Sequence, residues 1–204
     1  MKTYMRTPWF VIFAVPMLLA GITDYASAAG KTKDTLTIIH QRKSVRNYVP
    51  DKPVARKDLE ILARAGMAAP SAMDRQPWAF VLIDDRRIMN ELAQALPYAR
   101  MLKDAGGAIV VCGIPARSTF GGMEYWVQDC SAASENILLA AEAMGLGAVW
   151  TSAYPDEDRI RSVRNVLGIP EEAMPLNIIV IGYPLGVEKP KDKFDPKNIH
   201  WNRW

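Results

Sequence analysis

Residues 128–150 read QDCSAASENILLAAEAMGLGAVW, and they carry the first decision about the fold. Extended back to Met123, the apolar positions Trp126, Cys130, Ala133, Ile137, Ala140 and Met144 are spaced 4, 3, 4, 3, 4. That period predicts a helix over Met123–Met144 with a packing seam along one side. Its middle is small (Cys130, Ser131, Ala132, Ala133, Ser134), so another helix can approach closely. Gly145 suits the position just past a helix end, where left-handed backbone is needed. Gly147–Thr151 then reads as a strand.

The same alternation continues outward in both directions. Upstream, helices are predicted over Thr35–Arg42 (apolar at Leu36, Ile38, Ile39), Arg56–Met67 (Leu59, Leu62, Ala63) and Arg86–Leu96, the last stopping before Pro97. Strands are predicted over Trp78–Ile83 and Ala108–Cys112. Downstream, Asp156 caps a helix with Glu157 and Asp158 in its first turn, and Gly168 stops it after Leu167. Leu176–Ile181 is the last clear strand. Four or so strands between helices make a mixed α/β domain. From Leu185 to Trp204 no period remains. That tail carries Lys189, Lys191, Lys193, Lys197 and Arg203, and a solvated tail would not normally end in Trp201 and Trp204. It reads as an extended arm laid on a surface, such as that of a partner subunit.

Composition narrows the classes. The chain has 204 residues, half of them hydrophobic and 23% charged, which is enough for a core in one domain of ordinary size. A net charge of +3 is too mild for a nucleic-acid footprint built from bulk charge, so any phosphate recognition must be local. Two cysteines, with no CxxC, support neither a disulfide framework nor a structural metal site. Cys112 and Cys130 read as inert buried thiols. At the N-terminus, Lys2 and Arg6 precede the apolar run Trp9–Ala20, and Ala26-Ser27-Ala28 follows as a cleavage pattern. This is the grammar of a secretory signal peptide. The run is shorter than the roughly 20 residues that span a bilayer. The expectation is therefore export, into a periplasm or beyond, with residues 1–28 removed and no stable membrane association; the alternative is an anchor.

Three segments hold unusual combinations. Arg42-Lys43-Ser44-Val45-Arg46 places three cations and a hydroxyl together, which suits a phosphate or simply a solvated basic turn. Ala69–Trp78 (APSAMDRQPW) is a proline-bounded loop that suits lining a flat ring, or serves only to join helix to strand. Ile199–Trp204 mixes aromatic and cationic groups, as a packing anchor also would.

Taken in order, RKSVRNY (42–48), APSAMDRQPWAF (69–80), the 128–150 segment, IGYP (181–184) and the basic tail resemble the FMN-dependent nitroreductase family over residues 34–204. The resemblance implies an α+β fold: a mostly antiparallel sheet of four to five strands, flanked by helices. It implies a homodimer with a domain-swapped C-terminal arm and FMN at the subunit interface. Arg42, Lys43 and Ser44 would meet the phosphate and ribityl chain, and Arg46 the pyrimidine edge and phosphate side. Pro70, Ser71, Ala72 and Met73 would lie along the ring from the partner. Ser152 and Ala153 match the loop whose backbone approaches flavin N5, and Arg203 matches a late basic residue that reaches back to phosphate. Asp74 departs from the pattern, because the family usually has Asn there. An ionised Asp only accepts hydrogen bonds and would oppose a reduced, anionic flavin.

Other chemistries lack their residues. Only His40 and His200 could serve as a base, no GxSxG occurs, and no GxGxxG marks a dinucleotide domain. No side chain needs to be a catalyst, because flavin N5 would carry the chemistry. The implied activity is ping-pong reduction of nitroaromatics, quinones or similar flat electrophiles, with NAD(P)H as a transient donor. Alternatives are a non-catalytic flavin carrier, or a flavin-dependent dehydrogenase or dehalogenase with another donor.

Overall fold

Ala108, Val110 and Cys112 pack into one core, while Ile109 and Val111 between them pack into another. This is the period-2 alternation of a strand buried on both faces. The computed structural model describes residues 34–120 and 123–204, and the export segment expected over 1–28 lies outside them. Four strands form one antiparallel sheet: β1 (Trp78–Ile83), β2 (Gly107–Gly113), β5 (Gly147–Ser152) and β6 (Met174–Gly182), in the order β1-β2-β6-β5. A separate two-stranded pair joins β3 (Thr119–Phe120) to β4 (Met123–Glu124).

Helices cover both faces. The helices are α1 (Thr35–Gln41), α2 (Arg56–Met67), α3 (Arg86–Ala95), α4 (Pro115–Ser118), α5 (Trp126–Ala143) and α6 (Glu157–Leu167). Leu59, Leu62, Cys130 and Ile137 of α2 and α5 meet Ile109, Val111, Ile179 and Ile181 of the sheet. On the opposite face Met89, Leu92 and Val163 of α3 and α6, with Leu102 of the 3-10 turn Arg100–Lys103, meet Val110, Ile178 and Val180. Asp156 caps α6 as predicted, accepting the N–H groups of Asp158 and Arg159, both at 3.1 Å. Gly168 closes that helix in left-handed backbone, φ 64°. No helix among the described residues is long and apolar enough to cross a membrane.

Two expectations need correction. The long helix begins at Trp126 and not at Met123, because Met123–Glu124 pairs with Thr119–Phe120 instead. The expected seam also turns. Trp126, Cys130, Ala133 and Ile137 are buried, but the burial continues through Leu138 and Ala141, leaving Ala140 half-buried and Met144 exposed. A straight 3.6-residue helix drifts off a strict 3.5 repeat in this direction. The buried stripe packs within the chain, on the sheet and α2, while Ser131, Ala132 and Ala140 beside it stay half-buried.

Candidate active site

Segment 42–49 leaves α1 and runs along the outer edge of β5. The N–H of Val45 donates to the carbonyl of Ala148 at 3.0 Å. Tyr48 is buried, and its hydroxyl lies 2.7 Å from the carbonyl of Val45 and 3.0 Å from that of Val180. Burial pushes its phenol well above the ordinary range. Gly182 permits this contact, since a Cβ there would sit 2.7 Å from Tyr48 Cδ1. The N–H of Val49 then donates to Tyr183, and the N–H of Leu185 to Asn47, both at 2.9 Å. The start of the tail is thereby stitched beside the basic segment.

That stitching builds a cavity of about 350 Å³. Arg42, Lys43, Ser44 and Arg46 line one side, and Lys189, Lys191 and Lys193 the other, with Glu188 the single carboxylate in its wall. Lysines at every second residue of an extended chain point the same way. Arg42 Nε is 2.9 Å from Glu135 Oε1, and Lys43 Nζ 3.0 Å from Glu142 Oε2, so two of the cations are steadied by α5. The donor set fits a phosphate monoester: convergent cations plus a hydroxyl. The sequence marked the three lysines only as part of a basic tail and not as site residues, although their alternation at 189, 191 and 193 was the available signal. Arg203 is not in this cavity. It lies beyond the 3-10 turn Pro196–Asn198, exposed, with its N–H donated to the carbonyl of Trp201.

A second cavity, about 340 Å³, adjoins the first at Arg46. The edge of β5 forms one wall, through Trp150, Thr151 and Ser152. The carbonyl of Ala148 bonds Val45, and the N–H of Ala153 bonds Leu176 on β6 at 3.0 Å. Strand alternation therefore turns the backbone groups of Trp150 and Ser152 outward, away from β6. Of the two residues matched to the loop near N5, Ser152 presents its N–H and Ala153 spends its own. Trp150 Nε1 donates to Ser152 Oγ at 3.1 Å. The opposite wall holds Tyr98 and Arg159, neither of which stood out in the sequence.

The loop 70–76 lines neither cavity. Ser71 and Ala72 are half-buried, while Pro70, Met73 and Asp74 are exposed. Met73, Asp74 and Gln76 have φ of 53°, 54° and 48°, a run of left-handed non-glycine residues that costs energy unless held. It is held by buried Asp129, whose Oδ1 accepts the N–H of Ala72 at 2.9 Å, and by Ser71 Oγ, which accepts the N–H of Gln76 at 2.9 Å. Cys112 and Cys130 are both free and buried, and burial raises the thiols to about 11 and about 12. Among the described residues no group of three metal-ligating side chains forms.

Known proteins resemble this chain in sequence and fold. The profile of the Nitroreductase family matches residues 39–97 and 94–183. A protein of Methanothermobacter thermautotrophicus, provisionally named NADH dehydrogenase/NAD(P)H nitroreductase, is 42% identical over 183 residues, 90% of this chain and 94% of its own. A crystal structure from Parabacteroides distasonis, provisionally given the same name, is 52% identical with a TM-score of 0.78, covering 84% of this chain and 99% of that one. An FMN-dependent nitroreductase of Clostridium difficile is 27% identical with a TM-score of 0.74, covering 83% and 99%. Agreement of this extent, over both halves of the fold, makes the chain a member of the Nitroreductase family.

Proposed function

We propose that this protein is an FMN-dependent oxidoreductase that takes reducing equivalents from NAD(P)H and passes them to small flat electrophiles such as nitroaromatics or quinones. The observation that carries the reading is the basic cavity of Arg42, Lys43, Ser44, Arg46, Lys191 and Lys193, joined at Arg46 to a second cavity along the β5 edge. Bound FMN supplies a two-electron carrier between donor and acceptor. The chain's own residues hold its phosphate in the first cavity. Ser152, whose N–H faces the second cavity, would offer the flavin a hydrogen-bond donor, and Arg46 would supply a fixed positive charge that favours the reduced, anionic form. The names of the Clostridium difficile and Methanothermobacter relatives support the cofactor and the donor.

The reading includes a homodimer. Loop 70–74 lines neither cavity of its own chain, so its approach to the ring needs a second copy. It also includes export, with the mature chain beginning near Ala29. Mass spectrometry of the native product tests that point, and an intact Met1 in a membrane fraction would refute it.

The central test is titration of the purified protein with FMN, followed by anaerobic addition of NADH or NADPH. Binding near one FMN per chain and bleaching by the donor are expected. Colourless protein after incubation ends the proposal, and flavin that no donor reduces points to a carrier. Replacing Lys193 by Ala removes a charge-assisted contact worth about 1.5–3 kcal/mol, roughly ten- to hundredfold in FMN affinity. Arg203→Ala should cost less; the reverse ranking would move the phosphate site out of this cavity.

A further inference from the structure

Trp150 Nε1 lies 3.1 Å from Ser152 Oγ, and the two side chains stand on one face of β5, two residues apart. An indole N–H only donates, so the serine oxygen is the acceptor in this bond and keeps its own proton for another partner. A serine hydroxyl ordinarily rotates to suit its surroundings, and here the indole sets its direction. The indole is itself held, because its half-buried ring packs against the core between the sheet and α5.

The hydroxyl between them in sequence is used differently. Thr151 Oγ1 lies 2.8 Å from the carbonyl of Ile178, so its proton is spent within the sheet. Ser152 is exposed and lines the cavity along the β5 edge, and its hydroxyl proton has no acceptor among the described residues. With its outward N–H, this one residue brings two donors to that wall. A hydrogen bond to a group that gains negative charge strengthens as the charge arrives. A donor already oriented costs no reorganisation at that moment.

We propose that Trp150 is a positioning residue: its indole N–H holds the Ser152 hydroxyl as a second donor to the flavin, beside the Ser152 N–H, and so favours the reduced form over the oxidised one. The inference rests on the flavin reading above and goes beyond it, since that reading uses only the backbone of Ser152 and gives Trp150 no part.

The test is the flavin midpoint potential of the purified protein and its variants, with FMN content read by absorbance on the same samples. Ser152→Ala removes the hydroxyl and keeps the backbone. The reduced form should lose about tenfold more affinity than the oxidised form, a fall of about 30 mV for a two-electron couple. Ser152→Thr restores a hydroxyl and should bring the potential back towards the parent's. Trp150→Phe keeps a ring but not the N–H, and should lower the potential by a smaller amount. In the double variant the potential should match that of Ser152→Ala alone, because the indole acts only through the hydroxyl. Additive shifts, or a Ser152→Ala potential equal to the parent's, overturn the proposal and leave the flavin reading standing. A parent protein that binds no FMN overturns both.

Discussion

Asp74 holds left-handed backbone, and its Oδ1 accepts the side-chain amide of Gln76 at 2.8 Å. It has therefore taken a neutral partner and not the neighbouring Arg75, so its charge stays uncompensated by that pair. If a partner's flavin lies against it, the carboxylate opposes reduction. At about 4 Å the interaction is ~1 kcal/mol in bulk water and ~4 kcal/mol at an effective dielectric of 20. Asp74→Asn should raise the flavin midpoint potential and flatten its pH dependence; an unchanged potential would show that Asp74 does not face the ring. The two thiols make a separate prediction. An unfolded chain ionises its cysteines from about pH 9, while the folded chain keeps Cys112 and Cys130 neutral to about 11 and about 12. The folded state then binds more protons, so stability falls as pH rises above 9, by roughly 1.4 kcal/mol per pH unit for each thiol. Urea unfolding across pH 8–10.5 measures this slope, and replacing both cysteines by Ala should reduce it.

Among the elements, α5 does most to position the site. Its buried stripe packs on the sheet and α2, while Ser131, Ala132, Glu135, Leu139 and Ala140 on the other side are only half-buried. Three of its carboxylates reach outward to functional segments: Asp129 to Ala72 of the 70–76 loop, Glu135 to Arg42 and Glu142 to Lys43. Asp129 also accepts the hydroxyl of Ser118 at 3.2 Å, so one buried side chain ties the loop and α4 to the helix. Asp129→Ala should leave these donors without their acceptor, at a cost of about 1–3 kcal/mol. The more specific readout is hydrogen exchange at the Ala72 amide, which should quicken well beyond the global loss of stability. Exchange that follows global stability alone would mean the strained loop is held by other contacts.

At the scale of the whole molecule, exposed apolar side chains gather on α1 and the tail: Leu36, Ile39, Phe194, Ile199, Trp201 and Trp204, the last fully exposed. Burying such an arm against a second copy is the hydrophobic drive for the proposed dimer. Deleting Ile199–Trp204 should weaken both dimer and flavin retention in sedimentation velocity; a truncated chain that stays a flavin-loaded dimer would show that the arm is dispensable. Helices and strands were legible in the sequence because their periods, caps and glycine stops are local, as Arg56–Met67, Trp78–Ile83 and the Asp156–Gly168 boundaries show. The cations at 42, 43 and 46 were legible because they are adjacent. Tertiary structure alone decided that the buried stripe of α5 closes inward, that Lys189, Lys191 and Lys193 line one cavity with those cations, and that Arg159 stacks on Tyr98. Each of these depends on segments far apart in the chain, such as the Tyr48 hydroxyl meeting the Val180 carbonyl across 132 residues. Register between distant segments is set by the burial of whole faces, and no local period encodes it.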